Sequence, residues 1–181
     1  MHSLQYSPAA RDRLMRNISR LLLASIMALS LDTLTKAWAV QTLTLYQPVP
    51  VLGELLRFTL GYNTGVTFGL FANSGSAPLI VTGIIVLGML IWSLSAVRRG
   101  EFSGMSVWLL GLILGGAAGN VVDRLPDMRV TDFLDMGIGT VRWYTFNLAD
   151  VFIVFGTLLL LLITMTEKPQ LERENNEPKT T

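Results

Sequence analysis

The sequence has no cysteine and a single histidine, His2. Without thiols there is no disulfide, no iron–sulfur cluster, no thiolate zinc site and no cysteine nucleophile. One histidine in a polar leader puts a Ser-His-Asp triad or an H-E-x-x-H zinc site out of reach. Charge is scarce as well. Only 15% of residues are Asp, Glu, Lys or Arg, the formal net charge is +1, and no basic stripe offers a nucleic-acid surface. There is no long repeat, low-complexity tract or second domain. If the chain is an enzyme, its acid–base chemistry must come from Asp, Glu, Lys, Arg or Tyr.

What fills the space is apolar. Hydrophobic residues make up 51% of the 181 positions, and the mean hydropathy is +0.50. Four stretches, near 18–40, 76–97, 103–123 and 146–166, come close to or exceed the roughly 20 residues that cross a bilayer. They predict an all-α membrane protein, a four-transmembrane-helix bundle in one domain over residues 18–166. The first stretch is long and lacks a small-residue cleavage site, so it reads as a retained span. Residues 1–17 read as a cytoplasmic leader and 167–181, "EKPQLERENNEPKTT", as a polar disordered tail. Within 40–75, Phe58, Leu60 and Tyr62 alternate and lead into "NTG". This predicts strand, turn, strand, with Pro48 and Pro50 disrupting an extended piece before it, as a small β element on the bilayer surface.

Arginines orient the bundle. Arg11, Arg13, Arg16 and Arg20 open the first span, Arg98 and Arg99 lie in the second connection, and Lys168, Arg173 and Lys179 follow the last span. The positive-inside rule then places both termini in the cytoplasm. In that orientation Asp32 and Lys36 fall in the outer half of the first span. Asn120, Asp123 and Arg124 close the third span at its outer end, Asp132 and Asp135 occupy the outer connection, and Asp150 opens the fourth span. Every unusual polar residue gathers at one face of the membrane.

Asp150 sits within an apolar run, where an acid at the centre of a span costs about 2.5–3.5 kcal/mol on insertion scales and less near an end. Two N-x-x-D patterns occur, Asn120/Asp123 and Asn147/Asp150, with each Asn and Asp on one helical face. The second also reads as a helix cap with its acid at the third position, which would hold the carboxylate rigid. In "VTDFLD", Asp132 and Asp135 read as loop acids, yet Val130, Phe133 and Leu134 press that loop toward membrane or protein. An Asp there can approach Asp150. Two carboxylates sharing a site do not both ionise easily, so one keeps its proton. The ionised member can take a proton from water while the other polarises a carbonyl, a route to peptide hydrolysis without His, Cys or metal.

Asp32 and Lys36, one turn apart, read as a neutralising pair, with Lys36 snorkelling outward. Asp123 and Arg124 read as an ion-pair scaffold. Asn63 is either a turn residue or an amide that binds a substrate backbone. Gly111, Gly115 and Gly119 at four-residue spacing predict close helix packing, not phosphate binding. An ion or proton transporter and a non-catalytic assembly protein are the alternatives from other classes. Acids at one face and the lack of a repeat weigh against transport.

The segments "DTLTK", "NTGVTFG", "GGAAGNVVDRL", "VTDFLD" and "FNLAD", in this order over four spans, resemble the bacterial lipoprotein signal peptidase (signal peptidase II) family. The resemblance covers about residues 18–166. Thr67 stands where the family often has Ala or Ser. The resemblance implies an inner-membrane aspartic endopeptidase, monomeric, without metal or cofactor. Its substrates would be diacylglyceryl-modified prolipoproteins, cut just before the lipidated cysteine, with membrane lipid as the other partner. It implies that Asp132 and Asp150 are catalytic. Asp32, Lys36, Asn63, Asn120, Asp123, Arg124 and Asn147 would support them, and Asp135 is not among the matched positions.

Overall fold

The structure is a computed structural model that describes residues 7–65 and 74–176, with side chains through 166. Its elements run α1 (Pro8–Thr42), β1 (Val49–Leu52), β2 (Leu56–Asn63), α2 (Ala77–Arg98), α3 (Met105–Arg124), β3 (Val130–Ile138), β4 (Val141–Arg142) and α4 (Leu148–Asn176). Each predicted span coincides with a helix, and all four helices are long and apolar enough to cross a membrane. The architecture is the expected four-helix membrane bundle with a small sheet at one end.

Two boundaries differ from expectation. Helix α1 starts at Pro8, inside the predicted leader, and Ser7 caps it by accepting the Ala10 N–H at 3.3 Å. Ala, Arg, Leu and Met favour helix here, and Leu14 and Ile18 pack against Leu21, Val97, Val107 and Leu110. At the other end α4 continues to Asn176, where an irregular tail was expected from 167. Glu, Lys, Gln, Leu and Arg are good helix formers, and the helix runs past the last apolar turn although Pro169 lies within it. Thr67 and the strand expected after "NTG" fall in 66–73, outside the described residues.

Helix α3 is the central element. It packs on α1, α4 and, less extensively, α2. The glycine spacing explains how close α1 comes. A Cβ on Gly111 would lie 2.6 Å from the Ala24 Cβ, one on Gly115 would run into the Ser25 backbone, and one on Gly119 would meet Asp32 Oδ2 at 2.5 Å. The facing stripe on α1 is Leu21, Ala24, Ala28, Asp32, Lys36 and Ala39, all buried at three- and four-residue spacing. Close packing without side chains at the seam is the observed role of these glycines. On the opposite face of α3, Gly116 lets the first turn of α4 approach, since a Cβ there would be 2.7 Å from the Ala149 carbonyl oxygen.

The sheet is antiparallel throughout, in the order β1-β2-β3-β4. Pro50 lies within β1, an edge strand where a missing N–H is tolerated. "VTDFLD" was expected in a loop and instead forms β3. Its partner is β2, with Asn63 opposite Val130, Gly61 opposite Asp132 and Phe58 opposite Leu134. Phe133 packs with Ala39 and Leu60, and Trp38 meets Phe58 edge-on at 5.0 Å, fastening the sheet to the end of α1.

Candidate active site

Helix α4 begins immediately after Asn147, and its first turn solves the problem posed by Asp150. The Asp150 N–H donates to Asn147 Oδ1 at 3.1 Å, and the Asn147 N–H donates to Asp150 Oδ2 at 3.2 Å. This is a reciprocal capping box, with an acid at the positive end of the helix dipole. The capping interpretation is therefore realised, and it leaves the carboxylate in place for chemistry. Asn147 also donates its Nδ2 to Asp132 Oδ1 at 2.8 Å. One asparagine thus ties the first turn of α4 to the middle of β3.

A second asparagine supports the pair from α3. Asn120 Nδ2 donates to Asp150 Oδ1 at 2.9 Å, while Asn120 Oδ1 accepts from Asn147 Nδ2 at 3.1 Å and Lys36 Nζ at 2.9 Å. Lys36 is only 3% exposed and points inward, contrary to the expected snorkelling. It donates to Asn120 and forms ion pairs with Asp32 Oδ2 at 2.7 Å and Asp123 Oδ2 at 3.5 Å. An ammonium with one amide acceptor and two carboxylate partners has no need of the interface. Asp32 Oδ1 in turn accepts the Ala149 N–H at 2.9 Å, which joins α1 to the first turn of α4.

The expected Asp123–Arg124 scaffold is not formed as a pair. Adjacent helical side chains point apart. Asp123 turns to Lys36 and to the Thr131 N–H, which it accepts at 2.7 Å at the start of β3. Arg124 is buried and donates to the carbonyl oxygens of Asn120, at 3.1 Å, and Gly65, at 2.5 Å. Asn63 closes a tight turn by accepting the Gly65 N–H at 2.9 Å, the turn role left open for it by the sequence.

These groups form one end of a cavity of about 420 Å³. Its polar end presents Asp132, Asp150, Asn63, Asn120 and Arg124. Its walls run along Ile85, Val86 and Met89 of α2, Ile113 of α3, and Ile153 and Val154 of α4. Helix α2 packs on α3 and α1 but makes at most marginal contact with α4, so the cavity occupies the space between them. Trp143 and Tyr144 also line it, both mostly exposed. Sequence reasoning passed over these two. An aromatic pair directly before a span is an interface signal that could have marked them.

Burial pushes the Asp132 carboxyl up to about 7, helped by the charge of Asp150. The Asn147 hydrogen bond and the positive charges of Lys36 and Arg124 pull only partly the other way. Asp135, three residues along β3, faces the opposite side. Burial pushes it up, but hydrogen bonds from Arg57, Arg142 and Thr59 win and hold it below the usual carboxylate range. Arg57 Nη2 lies 2.7 Å and Arg142 Nη2 2.7 Å from its oxygens, so Asp135 clamps β2 to β4. Of the two acids in "VTDFLD", only Asp132 meets Asp150.

Residues 24–166 match the family model described as "Signal peptidase (SPase) II". A lipoprotein signal peptidase of Xanthomonas euvesicatoria pv. vesicatoria (strain 85-10) is 35% identical over 150 residues, covering 81% of this chain and 86% of the relative. One from Xylella fastidiosa (strain M12) is 36% identical over 147 residues, covering 80% and 87%. In three dimensions the chain is similar to a bacterial membrane enzyme solved by the in meso method at 2.3 Å. The TM-score is 0.72 and the identity 23%, with 91% of this chain and 95% of the other covered. That likeness is one of fold.

Proposed function

The chain belongs to the signal peptidase II family, and from that premise we propose that it is an aspartic endopeptidase for membrane-tethered prolipoproteins. Membership makes it a protease, and its four apolar helices suit a bacterial inner membrane. In this proposal it removes the signal peptide just before the diacylglyceryl-modified cysteine. The observation that carries the aspartic mechanism is the Asn147 bridge, which joins Asp132 and Asp150 at the polar end of a largely apolar cavity. Acids gathered at one end of the bundle also weigh against a transport path through it.

Asp150 accepts an N–H on each oxygen, from Asn120 Nδ2 and from the Asn147 backbone. Donors aimed at both oxygens engage them as acceptors, the arrangement a base requires. Asp132 holds its proton to about neutrality. Asp150 is therefore the base, and Asp132 the acid. A water between them gives a proton to Asp150, and its oxygen attacks the scissile carbonyl carbon. Asp132 donates its proton to the developing oxyanion. Collapse returns that proton to Asp132 as the carbonyl re-forms. The C–N bond breaks while Asp150 delivers its proton to the cysteine nitrogen, so the pair ends with one proton, as it began. Arg124 and Asn63 line the polar end of the cavity, where they would face a substrate peptide, and the walls from Ile85 to Val154 suit hydrocarbon.

The test is incubation of the purified protein with a lipidated prolipoprotein and mass spectrometry of the products. Cleavage should fall just before the lipidated cysteine. Asp132→Asn and Asp150→Asn should each abolish it, with the double variant scarcely worse, because a shared-proton pair has no half-function. Cleavage elsewhere, or substantial turnover by either single variant, would refute the proposal.

A further inference from the structure

The two asparagines between the acids are polar in a fixed sense, and Lys36 acts with Asn147 to set the sense of Asn120. An amide can present either its oxygen or its nitrogen to a neighbour. Asn147 has no choice, because the Asp150 backbone N–H can only donate and occupies Asn147 Oδ1 at 3.1 Å. Its Nδ2 must then face Asp132 and Asn120. Asn120 receives two donors on Oδ1, Asn147 Nδ2 at 3.1 Å and the Lys36 ammonium at 2.9 Å. The ammonium, too, can only donate. Turning the Asn120 amide over would set its N–H groups against those of Lys36 and its oxygen against Asp150.

Resting on the aspartic mechanism above, we propose that Lys36 is a positioning residue of the reaction. It acts through Asn120, holding that amide with its nitrogen, and not its oxygen, toward Asp150. The remaining contacts of Lys36 serve the same end. Asp32 and Asp123 hold the ammonium in place, and Gly119 leaves the room that Asp32 needs. The charged groups around the pair are Asp32 and Lys36 from α1, Asp123 and Arg124 from α3, Asp132 from β3 and Asp150 from α4. A purely neutralising Lys36 would also influence the dyad, but directly through space. The two roles therefore differ in whether the effect needs Asn120.

The pH profile of kcat/KM for a synthetic diacylglyceryl-cysteine peptide separates them. The variants are Asn120→Ala, Asp32→Asn/Lys36→Met and the triple combination. The Asp32→Asn/Lys36→Met pair removes one charge of each sign, so it leaves no lone buried cation or anion at that pair. Losing the Asn120 donor to the pair should lower kcat/KM and displace the acidic limb of the profile. Asn120→Ala and the charge-neutral pair should shift the limb the same way, the pair by less because Asn147 Nδ2 still holds Asn120 Oδ1, and the triple variant should shift it no further than Asn120→Ala. An additive triple variant, or a charge-neutral pair whose limb stays at the wild-type position, would overturn the proposal. Failure of the wild type to cleave would instead bring down the enzymatic assignment on which the proposal stands. Thermal unfolding in detergent accompanies each profile, and a variant with wild-type stability but a shifted limb is the signature of positioning.

Discussion

Replacing Asp132 by Asn should stabilise the folded protein in a pH-dependent way while removing activity. The carboxyl is buried, and its value rises from 3.8 to about 7, first by desolvation and second by the charge of Asp150. In the folded chain it therefore holds a proton that the unfolded chain releases above about pH 4. Stability linked to that proton is complete below 3.8 and is lost as pH rises toward about 7. The interval is about three pH units, and at about 1.4 kcal/mol each it amounts to an upper limit of about 4 kcal/mol. Asn is uncharged at every pH and can still accept the Asn147 Nδ2 bond at 2.8 Å, so the variant does not share the decline.

The assay is thermal or denaturant unfolding in one detergent from pH 4 to pH 8. The gap between Asp132→Asn and wild type should be near zero at the acidic end. It should approach about 4 kcal/mol at pH 8, or about 10 °C in Tm for a chain of this size. Asp150→Asn should close only part of the gap, because it removes the second cause and leaves desolvation. A gap that does not change with pH, or an Asp132→Asn variant less stable than wild type at pH 8, would refute the reasoning.

Asp135→Asn should keep most cleavage activity but lower stability by about 2 kcal/mol, since it frees Arg57 and Arg142 at partly exposed positions; a dead, stable variant would mean that the wrong acid of β3 has been chosen. Gly119→Ala should lower both Tm and turnover, because its Cβ would lie 2.5 Å from Asp32 Oδ2, whereas Gly83→Ala, in open space, should change neither. Reporter fusions within 98–101 and at the C-terminus should be cytoplasmic and those within 125–143 extracytoplasmic, and the reverse result for 125–143 would place the dyad on the wrong side of the membrane.

What was legible in the sequence was what repeats locally. The spans declare themselves by length, the glycines by four-residue spacing, and the Asn147–Asp150 box by three. The long-range partners were not legible. "VTDFLD" alternates poorly as a strand because Asp132 and Asp135 serve opposite faces, and its partner β2 lies some 70 residues earlier. Lys36 read as a cation seeking the interface, since no local pattern reveals that Asn120, 84 positions away, receives it. Adjacency in the chain suggested an Asp123–Arg124 pair, and helical geometry separates them toward Thr131 and Gly65.

The packing seam and the polar cluster are parts of one register. On α1 the stripe begins with Leu21, Ala24 and Ala28 and continues, at the same spacing, into Asp32 and Lys36. On α3 the facing row of Gly111, Gly115 and Gly119 leads directly to Asn120 and Asp123. A slide of one residue along α1 would therefore bring side chains against the glycine row and, at the same time, carry Lys36 away from Asn120. Packing resists the slide through overlap. The cluster resists it through the cost of a buried charge that has lost its partner, a few kcal/mol for each pair broken. The apolar seam thus sets the depth at which the ammonium meets the amide, and the amide in turn presents its nitrogen to Asp150 of the proposed dyad.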